Sequence, residues 1–113
     1  MSEKNKKKAY FIKKTIRTLQ LANAKILDEA ITPKLITENK FDVVTARALA
    51  SASKIIKMSK HLLSKKGKFL LMKGALEKIN VEVAQLENNT YSYTIHKTKN
   101  TETSRHILEI TQK

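Results

Sequence analysis

The sequence is poor in the residues that mark several common classes of protein. Its 113 residues include no cysteine, no tryptophan, one proline and two glycines. Without cysteine the chain has neither a disulfide framework nor a thiolate metal site. The glycines, Gly67 and Gly74, are too few and too isolated for a dinucleotide-binding or phosphate-binding glycine loop. The sequence therefore excludes disulfide scaffolds, cysteine-ligated zinc modules and P-loop enzymes.

Long apolar segments are missing too. No run of about 18 apolar residues occurs, so no membrane span is predicted. Residues 1–8 are polar and basic, which is untypical of a secretory signal. The three histidines, His61, His96 and His106, are scattered rather than clustered, so no metal site is predicted. These features favour a cytoplasmic protein that does not contact a membrane.

Acidic residues are few compared with basic ones. Lysine and arginine number 23 against 10 acids, and the formal net charge is +13. Such an excess favours a polyanionic partner, because bound phosphates release their counterions. The alternative is a lysine-rich composition in which exposed positions are lysine by default. With only three phenylalanines and three tyrosines, a row of aromatic platforms for successive bases is not expected.

Hydrophobic spacing predicts helices that alternate with strands. The first predicted elements are a helix over 5–21 ended by Asn23, a strand over 24–27 and a short helix starting at 32–33. A strand over 41–46, a helix over 50–63 ended by Gly67 and a strand over 69–72 covered on both faces follow. The last are a helix over 76–86 ended by Asn88-Asn89 and a hairpin of strands 91–96 and 106–110. This order predicts an α/β fold in a single domain over 1–113, with a mostly parallel, doubly wound sheet and an antiparallel C-terminal hairpin.

One segment has a more specific pattern. Residues 41–51, F-D-V-V-T-A-R-A-L-A-S, resemble the fourth-strand signature F-D-x-V-x-x-R-A-x-A of the bacterial 16S rRNA (guanine-N7)-methyltransferase family, the glucose-inhibited division protein B type. Further segments resemble the family in the same order: 3–12, 19–27, 69–74 and 104–108. The resemblance covers essentially the whole sequence. It implies a partial Rossmann-like class I methyltransferase fold that binds S-adenosylmethionine and methylates N7 of a guanine in 16S rRNA.

The resemblance also implies roles for particular residues. Glu3 would accept hydrogen bonds from the ribose of the cofactor, and Ile31 and Thr32 would lie beside its adenine. Arg47, at the end of the fourth strand of the family, would lie next to the cofactor. The alternative for Glu3 is a solvated acid, and for Ile31 and Thr32 an ordinary turn between a strand and a helix. For Arg47 it is a surface arginine at the start of a helix.

A second group of residues would serve the reaction itself. Arg47, Lys73 and Arg105 are the predicted catalytic residues, and the last two would face the RNA or the reacting guanine. Solvated surface charges are the alternative for Lys73 and Arg105. Guanine N7 has a lone pair and no proton to lose, so this chemistry needs positioned charges rather than a general base.

Two departures from the family pattern change what we expect. The family has a first strand and a glycine-rich cofactor loop upstream of the matching segments, and these 113 residues contain neither. Ala30 stands where the family often has an arginine. We therefore expect a truncated methyltransferase that binds S-adenosylmethionine weakly or not at all, or one completed by a second polypeptide. The alternatives are a non-enzymatic basic RNA-binding module and a remnant without function.

Overall fold

A computed structural model describes residues 1–27, 29–37, 39–47, 50–86, 89–98 and 105–113. Three predicted features lie outside these ranges: Ala48 and Leu49 of the signature, the helix terminator Asn88, and the polar connection over 100–104. Residue contacts divide the chain into two compact units, Met1–Thr32 and Pro33–Lys113.

The first unit contains helix α1, Lys6–Thr18. Asn5 begins it, because its side-chain Oδ1 accepts from the backbone N–H groups of the second and third helical residues at 3.0 Å and 3.1 Å. Of the apolar residues that helical spacing predicts to form one stripe, Ala9 is buried and Ile12 and Ile16 are half-buried, whereas Leu19 follows the helix and is exposed. It ends before the predicted Asn23, because Gln20 already has the left-handed backbone, with φ of 54°, that terminates helices.

The N-terminal residues of the first unit pair with the segment predicted as a strand over 24–27. Ser2 and Leu27 form a parallel bridge, in which the Glu3 N–H donates to the Leu27 carbonyl at 2.8 Å. The Leu27 N–H donates to the Met1 carbonyl at 2.7 Å. The predicted buried strand is thus reduced to one bridge, since residues 24–27 are half-buried or exposed and too few to form a longer ladder.

The described residues of the second unit form four strands and two α-helices. In chain order they are β1 (Phe41–Arg47), α2 (Ala52–Ser59), a 3-10 turn (Lys60–Leu62), β2 (Leu63–Lys73), α3 (Leu76–Ala84), β3 (Tyr91–Lys97) and β4 (His106–Gln112). The short helix predicted at 32–33 was wrong. Pro33 and Lys34 form only a turn. The fixed φ of proline suits a turn as well as it suits the first position of a helix.

The sheet has the strand order β1-β2-β4-β3. β1 and β2 are parallel, whereas β2 with β4 and β4 with β3 are antiparallel. In the described residues β1 pairs only with β2. The structure confirms the predicted α/β fold and its antiparallel C-terminal hairpin. Within the described residues the sheet is mixed rather than mostly parallel, because β4 inserts antiparallel next to β2.

Helices α2 and α3 pack on one face of this sheet. The centre of the core is fully buried and consists of Phe69, Leu71, Ile79, Leu108 and Ile110. All six residues predicted to share one face of the helix over 50–63 are buried: Ala52, Ile55, Ile56, Ser59, Leu62 and Leu63. The helix over 76–86 is predicted to have its own apolar stripe. Three of its members, Ile79, Val83 and Leu86, are buried, whereas the first, Leu76, is 44% exposed.

Gly67 does not end a helix, as was predicted, but lies inside β2. The helix α2 stops earlier, at Ser59, and the strand already begins at Leu63. A Cβ atom at Gly67 would lie 2.7 Å from the Leu63 side chain and 2.9 Å from the Asp42 carbonyl oxygen. Glycine is therefore required at this position by the close approach of β1 and of its own strand.

The strand predicted over 69–72 was expected to be covered on both faces, which was also wrong. Phe69 and Leu71 are fully buried, but Met72 is 48% exposed. Their alternation is the pattern of a sheet that has helices on one face. Helix α3 ends at Ala84, slightly before its predicted end at Leu86, although Leu86 is still buried.

Candidate functional site

A cleft of about 420 Å³ lies at one edge of the sheet in the second unit. It is lined by Arg47, Met72, Lys73, Gly74, Thr98, Arg105, His106 and Ile107. The parallel strands β1 and β2 both end at this edge, and the antiparallel β4 begins there. The fold therefore brings the three predicted catalytic residues, Arg47, Lys73 and Arg105, to one place.

The two arginines of this cleft are exposed. Arg47 is the last residue of β1, and Arg105 directly precedes β4. The backbone carbonyl of Arg105 accepts from the N–H and the hydroxyl of Thr98 at 3.1 Å and 3.2 Å, which fixes the chain at the mouth of the hairpin. Within the part of the chain that the structure describes, neither guanidinium forms an ion pair. Both charges are thus available to an anionic group.

Lys73 has a different environment. Its Nζ donates to Glu82 Oε1 at 3.0 Å and to the Ala50 carbonyl at 2.8 Å. The Lys73 and Glu82 side chains are only 13% and 18% exposed. The same Glu82 oxygen accepts from the N–H of Ala52, the first residue of α2, at 3.2 Å. Lys73 therefore connects β2 to both helices and is neutralised there, so its catalytic role stays a prediction.

His106 is a residue of the cleft that sequence reasoning treated as an ordinary strand histidine. It is 8% exposed, and its Nδ1 lies 2.7 Å from the Gly74 carbonyl oxygen. A carbonyl can only accept, so this contact assigns the proton of a neutral ring to Nδ1. The pairing of β2 with β4 places His106 opposite Lys73 and brings the Lys-Gly and Arg-His segments side by side, a register for which the sequence contains no signal.

A second cleft, of about 380 Å³, lies within the first unit. It is lined by Glu3, Lys7, Lys8, Phe11 and Ile12. Glu3 follows the parallel bridge of Ser2, and its Oε1 accepts from the Asn5 N–H at 3.0 Å. Of the other predicted cofactor residues in this unit, Ile31 is half-buried and Thr32 is exposed. Neither of them lines one of the two clefts.

Among the described residues there is no group of three or more histidine, cysteine, aspartate or glutamate side chains that could hold a metal ion. Over the same ranges no helix is both long enough and apolar enough to cross a membrane.

The fold is that of the class I methyltransferases. An rRNA methylase from Streptococcus thermophilus superimposes with a TM-score of 0.69 at 11% identity, over 98% of this chain and 70% of that one. A precorrin-6y C5,15-methyltransferase from Geobacter metallireducens gives a TM-score of 0.65 at 16% identity, over 99% and 65% of the two chains. A Streptococcus mutans protein assigned as a methyltransferase, solved in complex with SAH, gives 0.67 at 10% identity, over 99% and 74%. At these identities the likeness concerns the fold alone.

The family follows from the sequence relatives. The rRNA small subunit methyltransferase G family matches residues 1–108, and the chain belongs to this family. The rRNA small subunit methyltransferase G of Brachyspira hyodysenteriae is 34% identical over 112 residues, covering 97% of this chain and 53% of its relative. That of Laribacter hongkongensis is 33% identical over 82 residues, covering 73% and 38%. The chain thus spans about half or less of these curated relatives.

Proposed function

We propose that this chain forms part of a methyltransferase that transfers a methyl group from S-adenosylmethionine to N7 of a guanine in 16S rRNA. The observation that carries the proposal is the cleft where β1 and β2 end, which collects Arg47 and Arg105 in a chain of this family. Ligands of open α/β sheets bind outside the carboxyl ends of the parallel strands, which is where this cleft lies.

The residues of the cleft suit this chemistry. Guanine N7 already has the lone pair that attacks, so the protein does not have to remove a proton. Arg47 and Arg105 would hold RNA phosphates or the polar edge of the guanine, because a guanidinium donates in a planar fork to such acceptors. For Lys73 to contact the guanine its ammonium would have to leave Glu82. We therefore expect Lys73 to act mainly by fixing the end of β2 between the two arginines.

Part of a cofactor site can also be proposed. Bound S-adenosylmethionine supplies an activated methyl group on its sulfonium. Only one carboxylate oxygen of Glu3 is used by Asn5, so the other can accept from ribose hydroxyls. Ile31 and Thr32 would contribute backbone contacts to the adenine. The SAH complex of the S. mutans protein supports a cofactor of this type.

The affinity for the cofactor is expected to be low. A glycine-rich loop allows the backbone to approach a ligand closely, and these 113 residues contain only Gly67 and Gly74. Gly67 lies inside the strand β2 and so does not belong to a loop. A second polypeptide that supplies such a loop would restore binding. Titration calorimetry of the chain with S-adenosylmethionine should give no one-to-one micromolar signal, and a clear signal would contradict this expectation.

A second candidate is a basic RNA-binding module that does not transfer methyl groups. It is favoured by the net charge of +13 and by the engagement of Lys73 with Glu82. Both candidates predict RNA binding that weakens with salt. They differ in whether a methyl group reaches the RNA.

The test uses 16S rRNA that lacks the modification and S-adenosylmethionine labelled in the methyl group. The chain is assayed alone and with the N-terminal half of the Brachyspira hyodysenteriae relative added in trans. Label on guanine N7 in either mixture supports the methyltransferase, and Arg47→Ala and Arg105→Ala should each lower it about tenfold or more, since each removes a charge-assisted contact. Lys57→Ala, an exposed change on α2, is the matched control and should have no effect. RNA binding without label in either mixture favours the second candidate, and label on another base contradicts the N7 assignment.

A further inference from the structure

Helix α1 presents a strongly basic surface with an aromatic ring at its centre. Residues three or four positions apart are neighbours on a helix, and all four such neighbours of Tyr10 are lysines. We call this surface the Tyr10 face; it consists of Tyr10, Lys6, Lys7, Lys13, Lys14 and Arg17, all exposed. Tyr10 itself is 69% exposed. The buried Ala9 lies outside this face, about 100° around the helix from Tyr10.

The charges of the Tyr10 face are not neutralised within the described residues. Helix α1 contains no acid, and none of the five cations forms an ion pair in the ranges that the structure describes. Lys13 and Arg17 lie one turn apart, an arrangement of like charges that slightly destabilises a helix. A bound polyanion would remove this repulsion, so charge complementarity points to a ligand with a row of negative groups.

The exposed ring narrows the choice of polyanion. An aromatic side chain among cations is the combination that binds single-stranded nucleic acid, because unpaired bases stack on the ring while phosphates pair with the charges. In double-stranded RNA the bases are already stacked, and a lone ring has nothing to contact. Helix α1 has 13 residues and is about 20 Å long, so its cations form a row rather than a single point.

We infer that the Tyr10 face binds an unpaired segment of RNA, with one base stacked on Tyr10 and the flanking phosphates held by the surrounding lysines and Arg17. The inference rests on the proposed function in that 16S rRNA would supply the segment. It assigns the first unit a direct part in holding the substrate. A single ring suffices for one base, which agrees with the low aromatic content of the chain.

The ionic part is tested by the salt dependence of binding to a single-stranded RNA oligonucleotide. Each lost phosphate contact lowers the slope of log affinity against log salt by about 0.7 for single strands, so Lys6→Gln with Lys14→Gln should lower it by about 1.4. The matched control is Lys54→Gln with Lys57→Gln, two exposed lysines on α2, and it should leave the slope nearly unchanged. If the control pair lowers the slope as much as the first pair, binding follows net charge alone and the inference is wrong.

The stacking part is tested at Tyr10. Tyr10→Ala should weaken binding of single-stranded RNA about fivefold or more, whereas Tyr10→Phe keeps the ring and should bind like the parent chain. A duplex of the same sequence should bind Tyr10→Ala and the parent chain equally. Far-UV circular dichroism checks that α1 is still helical. Unchanged binding by Tyr10→Ala, or an equal loss for the duplex, would overturn the inference.

All these measurements are made without S-adenosylmethionine, which separates the inference from the proposed function. If the Tyr10 face binds RNA as described but no methyl group is transferred, the proposed function fails and the inference stands. If methyl transfer occurs and the Tyr10 variants bind and react normally, the inference fails alone. A basic helix with exposed rings can also lie on membranes, so vesicles containing phosphatidylserine serve as a comparison. Binding to these vesicles in the absence of any RNA affinity would overturn the inference.

Discussion

Replacing Glu82 with alanine removes the acceptor shared by Lys73 and the start of α2. The Glu82 oxygen lies 3.0 Å from Lys73 Nζ and 3.2 Å from the Ala52 N–H. In Glu82→Ala the ammonium keeps only the Ala50 carbonyl at 2.8 Å, in surroundings that leave the lysine side chain 13% exposed. The variant therefore contains a nearly buried charge without a counter-charge and a helix N-terminus without its cap.

The magnitude follows from these contacts. Removing one partner of a fully buried ion pair costs about 3–5 kcal/mol. The partial exposure of both side chains and the remaining carbonyl contact reduce this to about 2–3 kcal/mol. The lost cap on Ala52 adds about 1 kcal/mol, so we expect Glu82→Ala to lower the free energy of unfolding by about 3–4 kcal/mol. Glu82→Gln keeps both hydrogen bonds and loses only the charge, and should cost about half as much.

Urea unfolding followed by far-UV circular dichroism measures the effect as a lower midpoint at an unchanged m-value. The control is Glu77→Ala in the same helix: Glu77 is exposed, and its loss should cost less than about 1 kcal/mol. Pairing Glu82→Leu with Lys73→Met should cost clearly less than the sum of the two single changes, because apolar replacement of both partners leaves no charge buried. If Glu82→Ala is no less stable than Glu77→Ala, the ion pair does not hold the helices to the sheet as we have argued.

Three other predictions concern stability. Gly67→Ala should lower the free energy of unfolding by about 1–3 kcal/mol in the same assay, because its Cβ would overlap neighbouring atoms. Gly74→Ala, where a Cβ would meet nothing within 4 Å, should be nearly neutral, and equal effects of the two changes would refute the packing argument. Asn5→Ala should cost about 1 kcal/mol and reduce the helical signal of α1, and Asn5→Asp should restore both. Phe69→Ala, at a fully buried position, should cost about 3–5 kcal/mol, and Met72→Ala, at a half-exposed one, much less, so similar losses would contradict the assigned core.

The parts of the fold that were predictable from the sequence are those governed by periodic burial. The apolar face that includes Ile55 and Ile56 was predicted correctly because a helix on a sheet must bury such a face. The hairpin of Tyr91–Lys97 and His106–Gln112 was predictable from alternation. The bounds of α2 were not, because Leu62 and Leu63 continue the buried pattern while the backbone changes from helix to strand. Gly67 was misread since a close approach between strands leaves no local signal.

The candidate site was predictable to a similar extent. The family resemblance selected Arg47, Lys73 and Arg105, and the sheet brings all three to one cleft. What no motif revealed was the pairing of Lys73 with Glu82, because the two residues lie on different elements and meet only when α3 packs on the sheet. The burial of His106 against Gly74 depends in the same way on strand register. Tertiary contacts decide which charged side chains form ion pairs and which stay unpaired, and these contacts cannot be read from a single sequence.

The position of β4 also has a consequence for how the second unit assembles. It is the last described strand in the sequence, yet it lies between β2 and β3 and supplies two of the fully buried core residues, Leu108 and Ile110. While the ribosome still holds residues 106–112, β3 has no partner in the described sheet and β2 has only β1. Synthesis therefore leaves a nascent chain with open strand edges until β4 emerges, and such edges expose a partly synthesised chain to aggregation.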